Sequence, residues 1–171
     1  YLLHPLSSER AIQIRRVSLL KSSLYSAKIE GNPLVLADVQ SIEGKQHDVK
    51  KQEVANLVRA YEQLPNLIKE PITIDTLKVL HRTVLQYISA HAGRLRTEES
   101  AIFNESGTAV YLTPAPGEVP VLLPGLCVYV MESKDPAPVL AAVGHIWFEK
   151  IHPFLDGNGR VGRLLSAFIL K

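Results

Sequence analysis

The sequence predicts an all-α domain that carries one small β-hairpin. Over most of the chain, apolar residues recur every three or four positions, which is the spacing of a helix with one buried face. A polar turn that contains glycine separates two short apolar segments, which is typical of a hairpin. With 171 residues and 46% hydrophobic composition, the chain can bury one core, so we expect a single domain over residues 1–171.

Four helices are predicted in the N-terminal half of the chain. They cover residues 10–28, 36–42, 48–64 and 74–89. Asn32-Pro33 predicts a turn after the first helix, and Pro65 is expected to end the third, because proline lacks the amide hydrogen that a helix interior uses. The apolar residues at helical spacing, which we expect to face the core, are Ile14, Val17, Leu20, Leu24, Val54, Leu57, Val58, Tyr61, Leu77, Leu80 and Val84.

The C-terminal half contains the hairpin and three more predicted helices. Gly93 ends the helical pattern, and strands at 101–103 and 109–112 flank the turn Asn104-Glu105-Ser106-Gly107. We name this hairpin, residues 101–112, the flap. Prolines at positions 114, 116 and 120 predict an extended loop after it. The remaining helices are predicted over residues 121–131, 138–151 and 158–170.

Composition and charge narrow the class of function. Lysine and arginine exceed aspartate and glutamate by only 19 to 17, and this small excess does not indicate a nucleic-acid partner. No apolar run is long enough to cross a membrane, and no signal peptide is visible. The single cysteine, Cys127, is expected to be buried and cannot form an internal disulfide, which agrees with a cytoplasmic location. The sequence leaves a homo-oligomer open, and because the chain begins at Tyr1 and ends inside a predicted helix, we expect a fragment of a longer protein.

The segment of residues 152–163, here named the signature segment, has the composition of a phosphate-handling site. Its glycines leave backbone amides uncovered where a helix begins, and a helix N-terminus favours an anion. Arg160 and Arg163 are three residues apart, which suits two phosphates of one polyphosphate. Asp156 could bind Mg²⁺ together with phosphate oxygens, and His152 is the candidate for moving a proton.

Other motifs fit the signature segment poorly. Its G-x-G-x-x-G spacing does not follow a predicted strand, and a P-loop would need Lys-Ser/Thr where Arg163-Leu164 stands. An EF-hand that began at Asp156 would place Arg160 at a liganding position. His145 and His152 suggest a metal pair, but no third ligand lies at usable spacing, so we expect His145 to pack behind the catalytic helix. A plain glycine-rich turn would leave the arginines and His152 unexplained.

The signature segment resembles a known motif. From His152 to Arg163 it is similar to the Fic family signature, H-x-F-x-(D/E)-G-N-G-R-x-x-R, and it matches every specified position. The stretch from Gly93-Arg94 through Tyr111-Leu112-Thr113-Pro114 to Val119-Pro120 resembles the arginine-bearing loop and the flap that precede that signature. Near the N-terminus, Ser26-Ala27-Lys28-Ile29-Glu30-Gly31-Asn32 resembles the family's inhibitory motif, (S/T)-x-x-x-E-(G/N). The similarity covers most of the chain.

The resemblance implies a reaction and a role for each residue of the signature segment. His152 would be the general base that deprotonates a Ser, Thr or Tyr hydroxyl of a target protein, and Asp156 would bind Mg²⁺. AMP would pass from ATP to that hydroxyl, with pyrophosphate leaving. The branch of the family that phosphorylates its target has lysine where this chain has Gly159, which favours AMP transfer, although another nucleotide donor stays open. The residues implied to bind the phosphates of ATP are Gly157, Asn158, Gly159, Arg160 and Arg163.

The resemblance also implies regulation and a way of binding the target. Glu30 would pair with Arg163 through two hydrogen bonds and so withhold that arginine from the γ-phosphate, as part of an inhibitory helix segment near 18–32. Ser26 and Gly31 are the other motif residues. The flap would bind an extended segment of the target through main-chain hydrogen bonds at Tyr111, Leu112 and Thr113.

Two other functions stay open from sequence. The same residues could mainly remove AMP from a modified protein, with Glu30 orienting a water. Alternatively, the domain could be a non-catalytic module that only binds peptides. Loss of His152 or Asp156 would have favoured that module, and both residues are present.

Overall fold

The computed structural model describes residues 7–39, 42, 45–104 and 106–171. Within these residues the chain forms seven helices and one two-stranded antiparallel sheet, which confirms the predicted all-α fold with a flap. None of the helices in these ranges combines the length and the apolar composition needed to cross a bilayer. The helices are α1 (Ser8–Ile29), α2 (Leu36–Val39), α3 (Val49–Leu67), α4 (Ile74–Val84), α5 (Val119–Glu132), α6 (Ala137–Ile151) and α7 (Asn158–Ile169), and the strands are β1 (Ala101–Phe103) and β2 (Ala109–Leu112).

Helix α7 lies at the centre of the core and packs against α1, α3, α4 and α6. Its apolar residues recur at helical spacing, and they are buried among apolar residues of the surrounding helices. Because α7 begins inside the signature segment, the core itself fixes the position of that segment. The buried apolar residues of α7 are Val161, Leu164, Leu165 and Phe168.

Helix α1 is packed only over its second half. Leu24 and Ala27 are buried against the core, as the periodicity predicts. Ile14 and Val17 are exposed, so the expectation that they face the core is wrong. Periodicity identifies the apolar side of a helix but not whether a neighbour reaches it, and within the described ranges no element covers the first half of α1.

The predictions made from three prolines are wrong, because the effect of a proline on a helix depends on its position within that helix. Pro65 does not end α3, which continues to Leu67. Its missing amide removes one bond in the last turn, and the amide of Ile68 still donates to the carbonyl of Leu64 at 2.9 Å. The loop after the flap is not extended as far as Pro120, because a 3₁₀ turn forms at Pro116–Glu118. Pro120 lies in the first turn of α5, where backbone amides have no acceptor within the helix, so its missing amide breaks no helical bond.

Helix α4 ends at Val84 instead of the predicted residue 89. Asn56, a buried residue of α3, donates from Nδ2 to the carbonyls of Val84 at 2.9 Å and Gln86 at 2.8 Å. Those bonds satisfy acceptors that a helix C-terminus leaves free, and the chain then turns through Tyr87 at φ 64°. Leu85, the first residue after α4, is also buried, so the apolar pattern extends past the end of the helix.

The flap has the strands that the sequence predicts. Ile102 is opposite Tyr111, and the pairing is irregular between Ile102 and Phe103. In the turn, Asn104 Oδ1 accepts hydrogen bonds from the amides of Ser106 and Thr108. The predicted turn residue Glu105, and residues 40 and 41 of the predicted short helix, lie outside the described residues.

We expect Asn56→Ala to lower the free energy of unfolding by about 2–4 kcal/mol, because it leaves one buried and one partly buried carbonyl without this donor. Urea denaturation followed by circular dichroism measures this value. Asn66→Ala is the matched control, since Asn66 is exposed near the end of the same helix. Equal effects of the two substitutions would contradict the capping role of Asn56.

Candidate active site

The imidazole of His152 lies at the C-terminal end of α6. The residue is the C-cap of that helix, in the left-handed region at φ 49° and ψ 60°, and its amide still donates to the carbonyl of Phe148 at 3.0 Å. A non-glycine residue adopts this conformation only where surrounding contacts impose it. The backbone therefore turns sharply at the residue that the sequence assigns to catalysis.

The ring of His152 is poised as a base. Its Nδ1 lies 3.3 Å from the backbone carbonyl of Glu149, and since a carbonyl only accepts, Nδ1 carries the proton and Nε2 has a free lone pair. Burial lowers the pKa of His152; the Glu149 carbonyl opposes this shift, the Arg96 charge adds to it and the Glu30 charge opposes it. The ring is therefore neutral near pH 7.

Arg96 fixes the backbone around His152. Its buried guanidinium donates from Nε to the carbonyl of His152 at 2.7 Å, and from the two terminal nitrogens to the carbonyls of Glu98 and Pro114. It thereby joins the end of α6 to the base of the flap. The loop resemblance pointed to Arg94, which is exposed. Arg96 was missed because both arginines lie in the same loop and only the folded structure shows which of them is buried.

A closed turn connects α6 to α7. Asn158 is buried, its Oδ1 accepts from the amide of Phe154 at 3.0 Å, and its Nδ2 donates to the carbonyl of Phe154 at 2.7 Å. Phe154 is fully buried and stacks on His81, with ring centroids 3.7 Å apart. The Asn158 side chain is thus used within the turn, and its backbone amide is the group left for a ligand.

His81 of α4 supports the same turn from below. Its Nδ1 accepts from the amide of Gly93 at 2.8 Å, which leaves Nε2 to donate to the carbonyl of Asp156 at 2.9 Å. Only the neutral ring makes both bonds at once, because protonation of Nδ1 removes the acceptor for the Gly93 amide. Burial lowers the pKa of His81 to about 4, against the carbonyl bond and charge of Asp156, which raise it, while the Arg160 charge lowers it further. No sequence motif marked this residue.

The first turn of α7 offers an anion site. Gly157 is the N-cap at φ 77°, a conformation that favours glycine, and no side chain caps the helix. The amides of Asn158, Gly159 and Arg160 have no acceptor within the helix, because the helical ladder begins with the bond from Val161 to Gly157. These amides and the helix dipole favour a phosphate.

Asp156 stands at the edge of this anion site with its side chain 62% exposed. Its Oδ1 accepts hydrogen bonds from the amide of Gly157 and from Arg160 NH2, the latter at 2.9 Å. No group of three potential metal ligands occurs among the residues that the structure describes. One exposed carboxylate beside a phosphate site fits Mg²⁺, which usually takes one or two carboxylates and completes its shell with phosphate oxygens and water.

Arg163 is bound by α1. Its Nε donates to Ser26 Oγ at 2.8 Å, and its NH2 donates to the Ser26 carbonyl at 3.0 Å and to Glu30 Oε1 at 2.7 Å. The predicted pairing of Glu30 with Arg163 is therefore present across 133 residues of sequence. The expectation of two parallel hydrogen bonds between them is wrong, because Ser26 occupies the Nε donor. Gly31, at φ 83°, follows the end of α1.

The glutamate reaches the phosphate site because Gly159 has no side chain. A Cβ at position 159 would collide with Glu30 Oε1 and would lie 3.0 Å from Arg163 NH1. Glu30 therefore lies against the first turn of α7, where a ligand phosphate would meet the open amides. A similar constraint acts at Gly162, where a Cβ would collide with Glu149 and His145.

His145 packs between α6 and α7, where its ring faces Gly162. Its Nδ1 is buried, as is Oε1 of Glu149, and both face Gly162. Burial raises the pKa of Glu149, while the charges of His145 and Arg163 lower it and that of Glu30 raises it.

The flap and the signature segment form the two walls of a cleft. His152 and Leu155 line one wall, and Phe103, Leu112 and Thr113 line the other. Leu112 is exposed, and Thr113 is buried, with its amide and Oγ1 both donating to the carbonyl of Ser100. Thr113 therefore anchors β2, and its amide is already used.

Tyr111, the third predicted flap residue, is half-buried, and its ring lies 5.9 Å from Lys150 Nζ on α6. This contact between a cation and an aromatic ring ties the flap to the helix that ends at His152. Of the three predicted flap residues, Leu112 is the most accessible to a bound segment.

Known proteins are similar to this chain in sequence and in fold. The model of the Fic/DOC family matches residues 71–170. The protein adenylyltransferase Fic of Drosophila willistoni is 32% identical over 158 residues, which cover 85% of this chain and 30% of that protein. The chain spans about a third of the length of the curated relatives it matches.

Solved structures share the fold. A Fic family protein from Desulfovibrio desulfuricans G20 superposes with a TM-score of 0.83 at 28% identity, covering 96% of this chain and 52% of that one. A Fic domain containing signaling protein from Bacteroides thetaiotaomicron has a TM-score of 0.82 at 24% identity and covers 98% of this chain and 68% of that one; at this identity it supports the fold alone.

We expect the neutral His81 ring to make stability depend on pH. The unfolded chain binds a proton at His81 near pH 6.5 and the folded chain only near pH 4, so this contribution is complete above pH 6.5 and is lost as the pH falls towards 4. Between pH 7 and pH 4.5 the unfolding free energy should fall about 2–3 kcal/mol more in the wild type than in His81→Gln.

Urea denaturation at the two pH values measures this difference. His91→Gln, at an exposed histidine, should follow the wild type. Parallel losses in the wild type and His81→Gln would show that His81 is not the group that titrates.

Proposed function

Since the chain belongs to the Fic/DOC family, we propose that it transfers AMP from ATP to a hydroxyl side chain of a target protein. One observation carries the proposal. A neutral imidazole with a free Nε2 and a helix N-terminus with open amides lie at the two ends of a single closed turn. The name of the Drosophila willistoni relative describes transfer of an adenylyl group to protein, which supports the same reaction.

His152 acts as the general base. A hydroxyl near its ordinary pKa is a weak nucleophile, and a positioned base near neutral pKa accelerates its attack by roughly 10²–10⁴-fold. The Glu149 carbonyl holds the proton on Nδ1, so that Nε2 takes the proton of the attacking hydroxyl. Arg96 keeps the backbone of His152 in place while the ring accepts that charge.

The start of α7 binds the phosphates of the nucleotide. The amides of residues 158–160 and the guanidinium of Arg163 stabilise negative charge that spreads over the phosphates and the departing pyrophosphate. Asp156 would bind Mg²⁺, which supplies further positive charge to the phosphate oxygens. These groups are fixed by the fold before any ligand binds, and preorganisation of this kind supplies most of the catalytic effect in phosphoryl-type transfer.

Glu30 inhibits the reaction by occupying Arg163. The carboxylate forms a charge-assisted hydrogen bond with NH2 and lies against Gly159, so a phosphate that needs the same arginine must first displace it. Ser26 binds the same guanidinium through its hydroxyl and its carbonyl, which fixes α1 beside the site. The chain is therefore self-inhibited in this conformation.

The flap presents the target to His152. Its two strands pair only with each other among the described residues, so their outer backbone groups are available to an extended segment. Leu112 and Phe103 line the cleft with His152 and provide apolar contact. The target is thus a protein with a Ser, Thr or Tyr hydroxyl in an extended segment.

We expect His152→Ala to abolish AMP transfer while the Kd for ATP changes by less than about threefold, because the imidazole acts on the hydroxyl and the phosphates bind elsewhere. Labelled ATP with Mg²⁺ measures transfer, and calorimetry measures binding, both in the Glu30→Gly background. His91→Ala is the matched control. Equal loss of binding and turnover would contradict the role of His152.

The ion pair between Glu30 and Arg163 gives a double-mutant test. Glu30→Gly should raise modification by at least about tenfold, since it removes one charge-assisted hydrogen bond. Arg163→Ala should lower modification in either background. Once Arg163 is absent, Glu30→Gly should give almost no further activation, so the two effects are strongly non-additive. Additive effects would show that Glu30 inhibits by some other route.

A further inference from the structure

Arg160 has an acidic partner that lies outside the signature segment. Its side chain is only 5% exposed, and its NH1 lies 3.6 Å from Oε1 of Glu53 on α3. Its NH2 lies 2.9 Å from Oδ1 of Asp156. The Glu53 side chain is 14% exposed, whereas that of Asp156 is 62% exposed. Arg160 therefore bridges a buried carboxylate and an accessible one.

Glu53 is itself held in place by the loop that follows α1. Its Oε2 accepts a hydrogen bond from Nδ2 of Asn32 at 2.7 Å. Asn32 is buried, donates also to the Lys50 carbonyl at 2.9 Å and accepts from the amide of Leu34 at 3.1 Å. With the Asn32 side chain satisfied on both sides, the Glu53 carboxylate has one defined orientation, and its other oxygen faces Arg160.

Both carboxylates pair with the guanidinium of Arg160, and Glu53 Oε2 also lies 3.7 Å from Lys50 Nζ. A buried guanidinium requires a counter-charge, and Nε of Arg160 has no hydrogen-bond partner among the described residues. If Glu53 were neutral, Asp156 would be the one carboxylate among the described residues left to balance the positive charge of Arg160. Any cation that bound Asp156 would then have to break the one ion pair that Arg160 keeps within the described part of the chain.

We propose that Glu53 is a positioning residue. It holds the guanidinium of Arg160 in place when Asp156 binds a divalent cation beside the nucleotide phosphates. The inference rests on the proposed function, because that function brings Mg²⁺ to Asp156. Glu53 touches neither nucleotide nor metal and acts through Arg160. It lies outside residues 71–170, which the family model matches, so the signature alone does not specify it.

The test is nucleotide binding as a function of Mg²⁺ concentration. In the Glu30→Gly background, which removes the inhibitory carboxylate, calorimetry measures ATP binding over a Mg²⁺ series for Glu53→Gln. The amide keeps the shape and an oxygen for Asn32 but loses the charge. We expect the Mg²⁺ concentration for half-maximal ATP binding to rise about tenfold, with ATP affinity at saturating Mg²⁺ changed less than about threefold.

The control is Glu62→Gln, the same substitution at an exposed position of the same helix, which should leave the Mg²⁺ midpoint unchanged. Asn32→Ala should shift the midpoint in the same direction as Glu53→Gln but less, because it releases the carboxylate without removing its charge. Thermal denaturation checks that each variant folds. If Glu53→Gln does not fold, Glu53→Asp is measured, and its shorter carboxylate should give an intermediate shift.

Each outcome decides one question. An unchanged midpoint in Glu53→Gln, or an equal loss of ATP binding at every Mg²⁺ concentration, overturns the positioning role. Failure of the Glu30→Gly parent itself to bind ATP would instead refute the proposed function. Because the parent and the variant are measured side by side, the two failures are distinguishable.

Discussion

Two hydrogen bonds between the Asn158 side chain and the backbone of Phe154 close the turn from α6 to α7, and the candidate site depends on them. They fix the end of one helix against the start of the next, and the stacked rings of Phe154 and His81 fill the space beneath. A base at a helix C-terminus and open amides at a helix N-terminus thereby have one fixed separation. Both helices pack in the core, so the packing holds the groups of the candidate site in fixed positions.

Both arginines of the signature segment are paired with carboxylates from the N-terminal helices. Arg163 meets Glu30 at the end of α1, and Arg160 meets Glu53 on α3. A guanidinium at an anion site needs a counter-charge while no ligand is bound, and the identity of that counter-charge determines what a ligand must displace. On the proposals above, a ligand displaces the more exposed Glu30, whereas the more buried Glu53 stays with its partner. The two ion pairs thus have different proposed roles, one inhibitory and one positioning.

The sequence predicted the fold and the signature residues because their signals are local. Helical spacing, the flap strands and the order of residues from His152 to Arg163 are all contained in short windows. The contact between Glu30 and Arg163 was predictable only through family resemblance, since 133 residues separate the two. Arg96, His81 and Glu53 gave no signal, because each acts through a contact that only the folded core creates. The predictions from Pro65 and Pro120 failed for the opposite reason. The rule that proline interrupts a helix is local, but its effect depends on where in the helix the proline lies.

The missing side chain at Gly159 also bears on how the proposed inhibition can change through mutation. A side chain there would expel Glu30, but it would fill the same space beside the open amides and Arg163 that a phosphate would use. A substitution at position 159 that removed Glu30 would therefore obstruct the proposed phosphate site as well. Substitutions of Ser26 or Glu30 would not place a side chain in that space, because both residues lie at the end of α1 and contact the site through Arg163. On the proposed function, the inhibition can therefore be strengthened or abolished by substitutions at the end of α1 while the signature segment stays unchanged.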